Sequence, residues 1–231
     1  MQVPCSNCKK ECLSELAGTW ALVLAGPASV VLTASLSRAE SLPTIALTFS
    51  GVVALVILIA GRYSGAVINP AVSIAAMGSG NLKKGLLLPY LFFQITGGML
   101  AGVTLRVLFS SPFDKTSLGS TKLTLGIDPL TGILLEAVGT FCLASSALVS
   151  GSLFKREAHR AALVGSTLFL LIILIGPLTG ASFNPARSLG PALASGYFSN
   201  LYVYLIGPSL GGLLAGIVFR LGRDGIGGTE K

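Results

Sequence analysis

The sequence predicts an all-α integral membrane fold: six transmembrane helices plus two re-entrant half-helices, built as an inverted repeat of three spans each. Three observations predict it. Apolar residues make up 52% of the 231-residue chain and charged residues only 11%, against about 25% charged in an ordinary soluble domain. The apolar residues gather into six long runs. One tripeptide occurs twice, as Asn69-Pro70-Ala71 and Asn184-Pro185-Ala186, at matching places in the two halves.

The six runs cover roughly 14–36, 43–61, 85–108, 130–150, 160–178 and 201–221. A helix needs about 20 apolar residues to cross a hydrocarbon core of about 30 Å. Only helices and closed barrels satisfy their backbones in lipid, and barrel strands would alternate in polarity over about ten residues. These runs are continuous, so they are read as helices. The chain is then one transmembrane domain over 1–231. Its first repeat covers about 14–108 and its second about 130–221, with polar tails at 1–13 and 222–231.

The net charge of +7 and the pI near 9.5 raise the question of nucleic acid. The distribution answers it. With six spans, Lys9, Lys10, Arg62, Lys83, Lys84, Lys155, Arg156, Arg160, Arg220, Arg223 and Lys231 fall on one side, and only Arg38, Arg106, Lys115 and Lys122 on the other. That is a positive-inside pattern, which places both termini in the cytoplasm of a multi-pass protein of the cell membrane. No basic-aromatic patch supports nucleic-acid binding. The first apolar run is too long for a cleavable signal and serves as an uncleaved anchor. Cys5, Cys8 and Cys12 lie on the presumed cytoplasmic tail, where thiols stay reduced. Three thiols with no nearby His fall short of a closed zinc site, so the favoured reading is a tail with incidental thiols, with metal binding or acylation as the alternative, and no metal or cofactor is expected. Cys142, inside a span, reads as a small packing residue.

The repeat goes beyond the tripeptides. Glu15-Leu16-Ala17-Gly18-Thr19 matches Glu136-Ala137-Val138-Gly139-Thr140. Ser64-Gly65-Ala66 matches Thr179-Gly180-Ala181, and Tyr90 with Gly97-Gly98 and Gly102 matches Tyr204 with Gly211-Gly212 and Gly216. The offsets are 121, 115 and 114 residues. Three spans per half is odd, so the second half enters from the opposite face and a pseudo-twofold axis lies in the membrane plane. Each Asn-Pro-Ala opens a segment of about two turns, 72–79 or 187–195. Asn is a favoured N-cap, and Pro is tolerated in a first turn. Two half-helices therefore dip in from opposite faces and meet near the midplane. Irregular backbone at that depth must line a cavity or be buried in protein, which implies a central pore.

Glu15, Glu136 and Arg187 are the ionisable residues left at membrane depth, where such groups mark function. Glu15 and Glu136 hold matching repeat positions. The favoured reading is that they accept hydrogen bonds from the re-entrant loops; the alternative is a proton relay, which lacks an intramembrane His or Lys to continue it. Arg187 breaks the repeat, because its counterpart is Val72. It is read as facing the outer half of the pore, with attachment to loop carbonyls as the alternative.

From about Ser14 to Arg220 the chain resembles the major intrinsic protein (aquaporin) family. The resemblance rests on the two Asn-Pro-Ala motifs, each preceded by Ser/Thr-Gly-Ala, and on Arg187 directly after the second. It implies a six-helix bundle with two half-helices, assembled as a homotetramer with one pore per subunit. Counting from the motifs as in the family, Phe49, Ile172, Ala181 and Arg187 form the selectivity filter. Strict water channels resemble this set at Phe and Arg but carry His where Ile172 stands; glycerol channels pair Gly with a second aromatic. Ser188 and Ala192 match the water-channel pattern, whereas Arg62 and Val67 stand where many members carry His. The expected function is therefore passive conduction of water, with protons and ions excluded and small neutral solutes admitted by a wider filter. The alternatives are a channel mainly for glycerol, urea, ammonia or a metalloid acid, or a coupled secondary transporter. No nucleophile-base pair or phosphate loop suggests an enzyme.

Overall fold

The computed structural model describes residues 8–36, 41–109 and 116–227. These form α1 (Cys8–Ser35), α2 (Ser41–Ser64), α3 (Pro70–Gly78), α4 (Lys84–Leu108), α5 (Pro129–Leu153), α6 (Glu157–Thr179), α7 (Pro185–Ser195) and α8 (Leu201–Gly227). All but α3 and α7 are long and apolar enough to cross a membrane. At 1.5 Å rise per residue, the 9 residues of α3 and 11 of α7 reach only about half the bilayer core. The fold is thus the all-α bundle with two half-helices that the sequence predicts.

Local chemistry sets the ends. Asn69 and Asn184 cap α3 and α7 with Pro at the first helical position. Asp128 caps α5 by accepting from the backbone N–H groups of Leu130 and Thr131. A hydrogen bond from the Thr131 hydroxyl, with those backbone bonds, holds its carboxyl below the usual carboxylate range. Gly180 and Gly196 end α6 and α7 in the left-handed region, at φ 80° and 75°, which only glycine adopts without cost.

Several boundaries differ from expectation. α1 begins at Cys8, so part of the expected tail is already helix, and α8 runs on to Gly227. Cys12 is not on a free tail. It is buried against Leu82, Leu86 and Tyr90, because the first turns of α1 lie over the segment joining α3 to α4. Cys8 is disulfide-bonded, which departs from three reduced thiols, and Cys5 lies outside the described residues. Cys142 is exposed on the outer face of α5 rather than packed inside. His159 stands in the first turn of α6, edge-on to Phe154.

The inverted repeat survives to the level of single atoms. α1 packs on α4 as α5 packs on α8, and α2 packs on α6 across the pseudo-axis. Each half-helix is held by the other repeat, α7 against α4 and α3 against α8. Glycine makes these approaches possible. A Cβ on Gly97 would overlap the Leu16 carbonyl, and one on Gly211 the Ala137 carbonyl. Likewise Gly98 faces the Ala186 carbonyl and Gly212 the Ala71 carbonyl. Lipid is as apolar as any side chain, so close backbone packing between small residues supplies the attraction that burial supplies in water.

Gly212→Ala is expected to destabilise the protein by about 1–3 kcal/mol, since the added methyl has only backbone to displace. Gly51→Ala, where a Cβ meets nothing within 4 Å, should stay within about 0.5 kcal/mol of the parent. Thermal midpoints of the two variants in detergent check the contrast.

Candidate functional site

The site is built from two strained loops, 65–68 and 180–183. In the first, Gly65, Ala66 and Ile68 have φ of 84°, 50° and 43°; in the second, Gly180, Ala181 and Phe183 have 80°, 45° and 53°. A left-handed non-glycine residue costs about 1–2 kcal/mol, and a β-branched one such as Ile68 is a genuine outlier. Such conformations persist only where surroundings over-determine them. Here a buried carboxylate does so.

Glu15 accepts from the backbone N–H of Val67 at 3.0 Å and of Ile68 at 2.6 Å. Glu136 accepts from Ser182 at 3.0 Å and Phe183 at 2.7 Å. Neither side chain has any exposed surface. The Tyr90 hydroxyl donates to the Ser64 carbonyl and the Tyr204 hydroxyl to the Thr179 carbonyl, tying the last turn before each loop to α4 or α8. Gly18 and Gly139 leave room beside the carboxylates for the Ile68 and Phe183 side chains.

A hydroxyl serves each carboxylate, Ser64 at Glu15 and Thr179 at Glu136, but the rest of the shell differs. Glu136 takes the Thr179 hydroxyl at 2.7 Å. Glu15 takes the amide of Gln94 at 2.7 Å, which also reaches Ser73. Sequence reasoning missed Gln94. Its counterpart by offset is Pro208, so repeat matching offers no signal for it.

These loops bring the two capping asparagines together. The side-chain oxygen of Asn69 accepts from Ala71 N–H and that of Asn184 from Ala186 and Arg187 N–H. Each side-chain nitrogen donates across the axis, Asn69 to the Phe183 carbonyl at 2.8 Å and Asn184 to the Ile68 carbonyl at 3.1 Å. An amide carries two donors, so one N–H on each asparagine is committed to the opposite loop and one is left over.

Both asparagines line a cavity of about 630 Å³ that runs between the repeats. Phe49, Ile172, Ala181 and Arg187 line it as well. The Arg187 guanidinium lies 4.9 Å from the Phe49 ring centre. Its Nη1 donates to the Gly119 carbonyl at 2.8 Å, and its buried Nε has no partner among the described residues. Arg187 is therefore both cavity-lining and tied to a loop carbonyl. The Gly119 segment was also missed. It enters against Pro27 of α1 and is pinned by Thr121 to Ser188 at 2.9 Å. The Phe49 ring fills the space that a side chain on Gly26 would need. Among the described residues no group of three or more His, Cys, Asp or Glu is placed to hold a metal.

Comparison with known proteins agrees with this architecture. A family profile described as Major intrinsic protein matches residues 3–219. The chain is 35% identical over 218 residues to Aquaporin NIP1-1 of Arabidopsis thaliana, covering 91% of this chain and 73% of that one. It is 33% identical over 218 residues to Nodulin-26 of Glycine max, covering 91% and 77%. The solved aquaglyceroporin of Plasmodium falciparum shares the fold with a TM-score of 0.87 at 20% identity, over 95% of this chain and 98% of that one.

Glu136→Gln would turn an amide donor toward the Ser182 or Phe183 N–H. Each backbone group left unpaired costs about 1–3 kcal/mol, so the thermal midpoint should fall well below that of the parent. Thr140→Ala, whose hydroxyl only returns to the Glu136 backbone carbonyl within α5, should shift it much less.

Proposed function

Because this chain belongs to the major intrinsic protein family of passive membrane channels, we propose that it conducts water down osmotic gradients and also admits small uncharged solutes. It is not an enzyme. The observation that carries the reading is the shared cavity: Asn69, Asn184, Phe49, Ile172, Ala181 and Arg187 all face one passage.

The chemistry follows from that wall. The N-termini of α3 and α7 point at the same midplane region, and each carries about half a positive charge. With the spare N–H of each asparagine they favour an oxygen acceptor there. A water held by its oxygen turns its hydrogens outward in both directions, which interrupts a proton-conducting file and repels cations. Among the described residues no Asp or Glu lines the cavity to offset this. At the narrow set, Arg187 supplies fixed donors and a permanent charge, while Phe49, Ile172 and Ala181 are apolar. A wall with one donor side and three apolar sides suits a small neutral polyol as well as water. Likeness to a protein described as an aquaglyceroporin supports that second solute class. The basic asymmetry supports cytoplasmic termini in a plasma membrane, and family resemblance supports a tetramer with a pore in each subunit.

Purified protein in vesicles should accelerate shrinkage after an osmotic jump well above empty vesicles, and should also accelerate re-swelling in an iso-osmotic glycerol gradient. No acceleration in the first assay, at verified incorporation, removes the water reading; acceleration only in the first removes the solute extension. Arg187→Val should keep water flux within about twofold while raising leakage of cations, since it deletes the charge that repels them.

A further inference from the structure

The cavity differs at its two ends. Toward one end it is lined by Phe49, Ile172, Ala181 and Arg187. Toward the other, its mouth, it is lined from the last turns of α2 and α8, the first turn of α6 and the turn after α3. Three arginines line this mouth, Arg62 of α2, Arg160 of α6 and Arg223 of α8.

Their pairing is uneven. Arg160 Nη1 grips both oxygens of Glu157 at 2.9 Å, so that charge is neutralised, yet its buried Nε has no partner among the described residues. Glu157 occupies the space over Gly61 and is not itself on the cavity wall. Arg62 stacks on Tyr63 at 4.6 Å and forms no ion pair among the described residues. Arg223 Nε lies 3.7 Å from its exposed neighbour Asp224, a surface pair worth little. Arg223 also reaches over Gly80, beside Asn81. The mouth therefore presents one guanidinium fork with no ion pair among the described residues, a second held only by a weak exposed pair, and a third with a buried free donor. Such forks match phosphate oxygens in geometry and charge, and a recess lined by one sign of charge concentrates the opposite ion.

We infer that this mouth is a binding site for a phosphate group, and that a bound phosphate obstructs conduction. The binding stands on the arginines alone; the obstruction rests on the channel reading above. The group could come from a free phosphate or from an anionic lipid headgroup at the membrane surface, because both present the same oxygens.

The full chain is placed in phosphatidylcholine vesicles, and shrinkage rates are compared in inorganic phosphate and in chloride, on both sides, at equal ionic strength and osmolality. A second set of vesicles contains phosphatidate. Water permeability is expected to fall about threefold or more on occupancy of the forks, and Arg62→Gln/Arg223→Gln should lose that response, each protein being compared with itself. A fall in phosphate with neutral lipid identifies a free anion; a fall only with phosphatidate identifies a headgroup. Equal rates in every condition overturn the obstruction. In parallel, broadening of the phosphorus NMR line of inorganic phosphate, or of short-chain phosphatidate, by detergent-solubilised protein reads binding without conduction. Broadening that the double variant lacks supports the site. No broadening of either overturns it, even for a chain that conducts nothing.

Discussion

Everything in the centre of this protein depends on two carboxylates that accept hydrogen bonds from backbone bent the wrong way. Four non-glycine residues in the re-entrant loops sit at φ between 43° and 53°. That geometry turns consecutive N–H groups to one side, where in lipid they would have no partner. Glu15 and Glu136 collect them. Only with the loops turned in this way do Asn69 and Asn184 stand at helix N-termini that face each other, each donating to the opposite loop. The carboxylates are structural in this sense, yet the proposed conduction rests on them, because they hold the loops that place the asparagines.

The same logic explains why glycines crowd α4 and α8. A half-helix ends inside the membrane and must be clamped by its neighbours. The neighbours are spans of the other repeat, and they approach so closely that the Ala71 and Ala186 carbonyls occupy the space of missing side chains on Gly212 and Gly98. Such contact couples the halves mechanically as well as symmetrically.

How much of this could be read in the residues depended on whether a feature repeats. The spans, the half-helices and the Glu, Gly and Asn landmarks recur at nearly constant offset, and hydropathy plus matching finds them. Features that belong to one half escape. Gln94 completes the shell of Glu15, but Pro208 stands opposite, so no comparison points to it. The loop bearing Gly119 has no apolar period at all, and its role appears only when Arg187 Nη1 is seen on the Gly119 carbonyl. The early start of α1 was hidden because Lys9, Lys10 and Glu11 look like a tail; the helix forms because Cys12 has a pocket of Leu82, Leu86 and Tyr90 to fill. Cys142 was misplaced because apolar runs do not tell the lipid face from the core face.

The repeat also shows where the two ends of the passage differ. Carried through the 115-residue offset, Ile172 corresponds to Ile57, Ala181 to Ala66, Arg187 to Val72 and Phe49 to Val164, and all eight residues line the cavity. The fold therefore builds two equivalent rings, one toward each face. Two positions are identical between the rings, and two differ. Only one ring has an aromatic wall and a fixed cation, which touch each other at 4.9 Å. The difference extends to the supporting helix: by the offset of the first spans, Gly26 corresponds to Ala147. Gly26 leaves space for the Phe49 ring, whereas the ring with Val164 needs no such space. Symmetric residues make a passage that would be alike from either side. Arg187 and Phe49, with Gly26 behind them, set one end of it apart from the other, and the proposed selectivity rests on them.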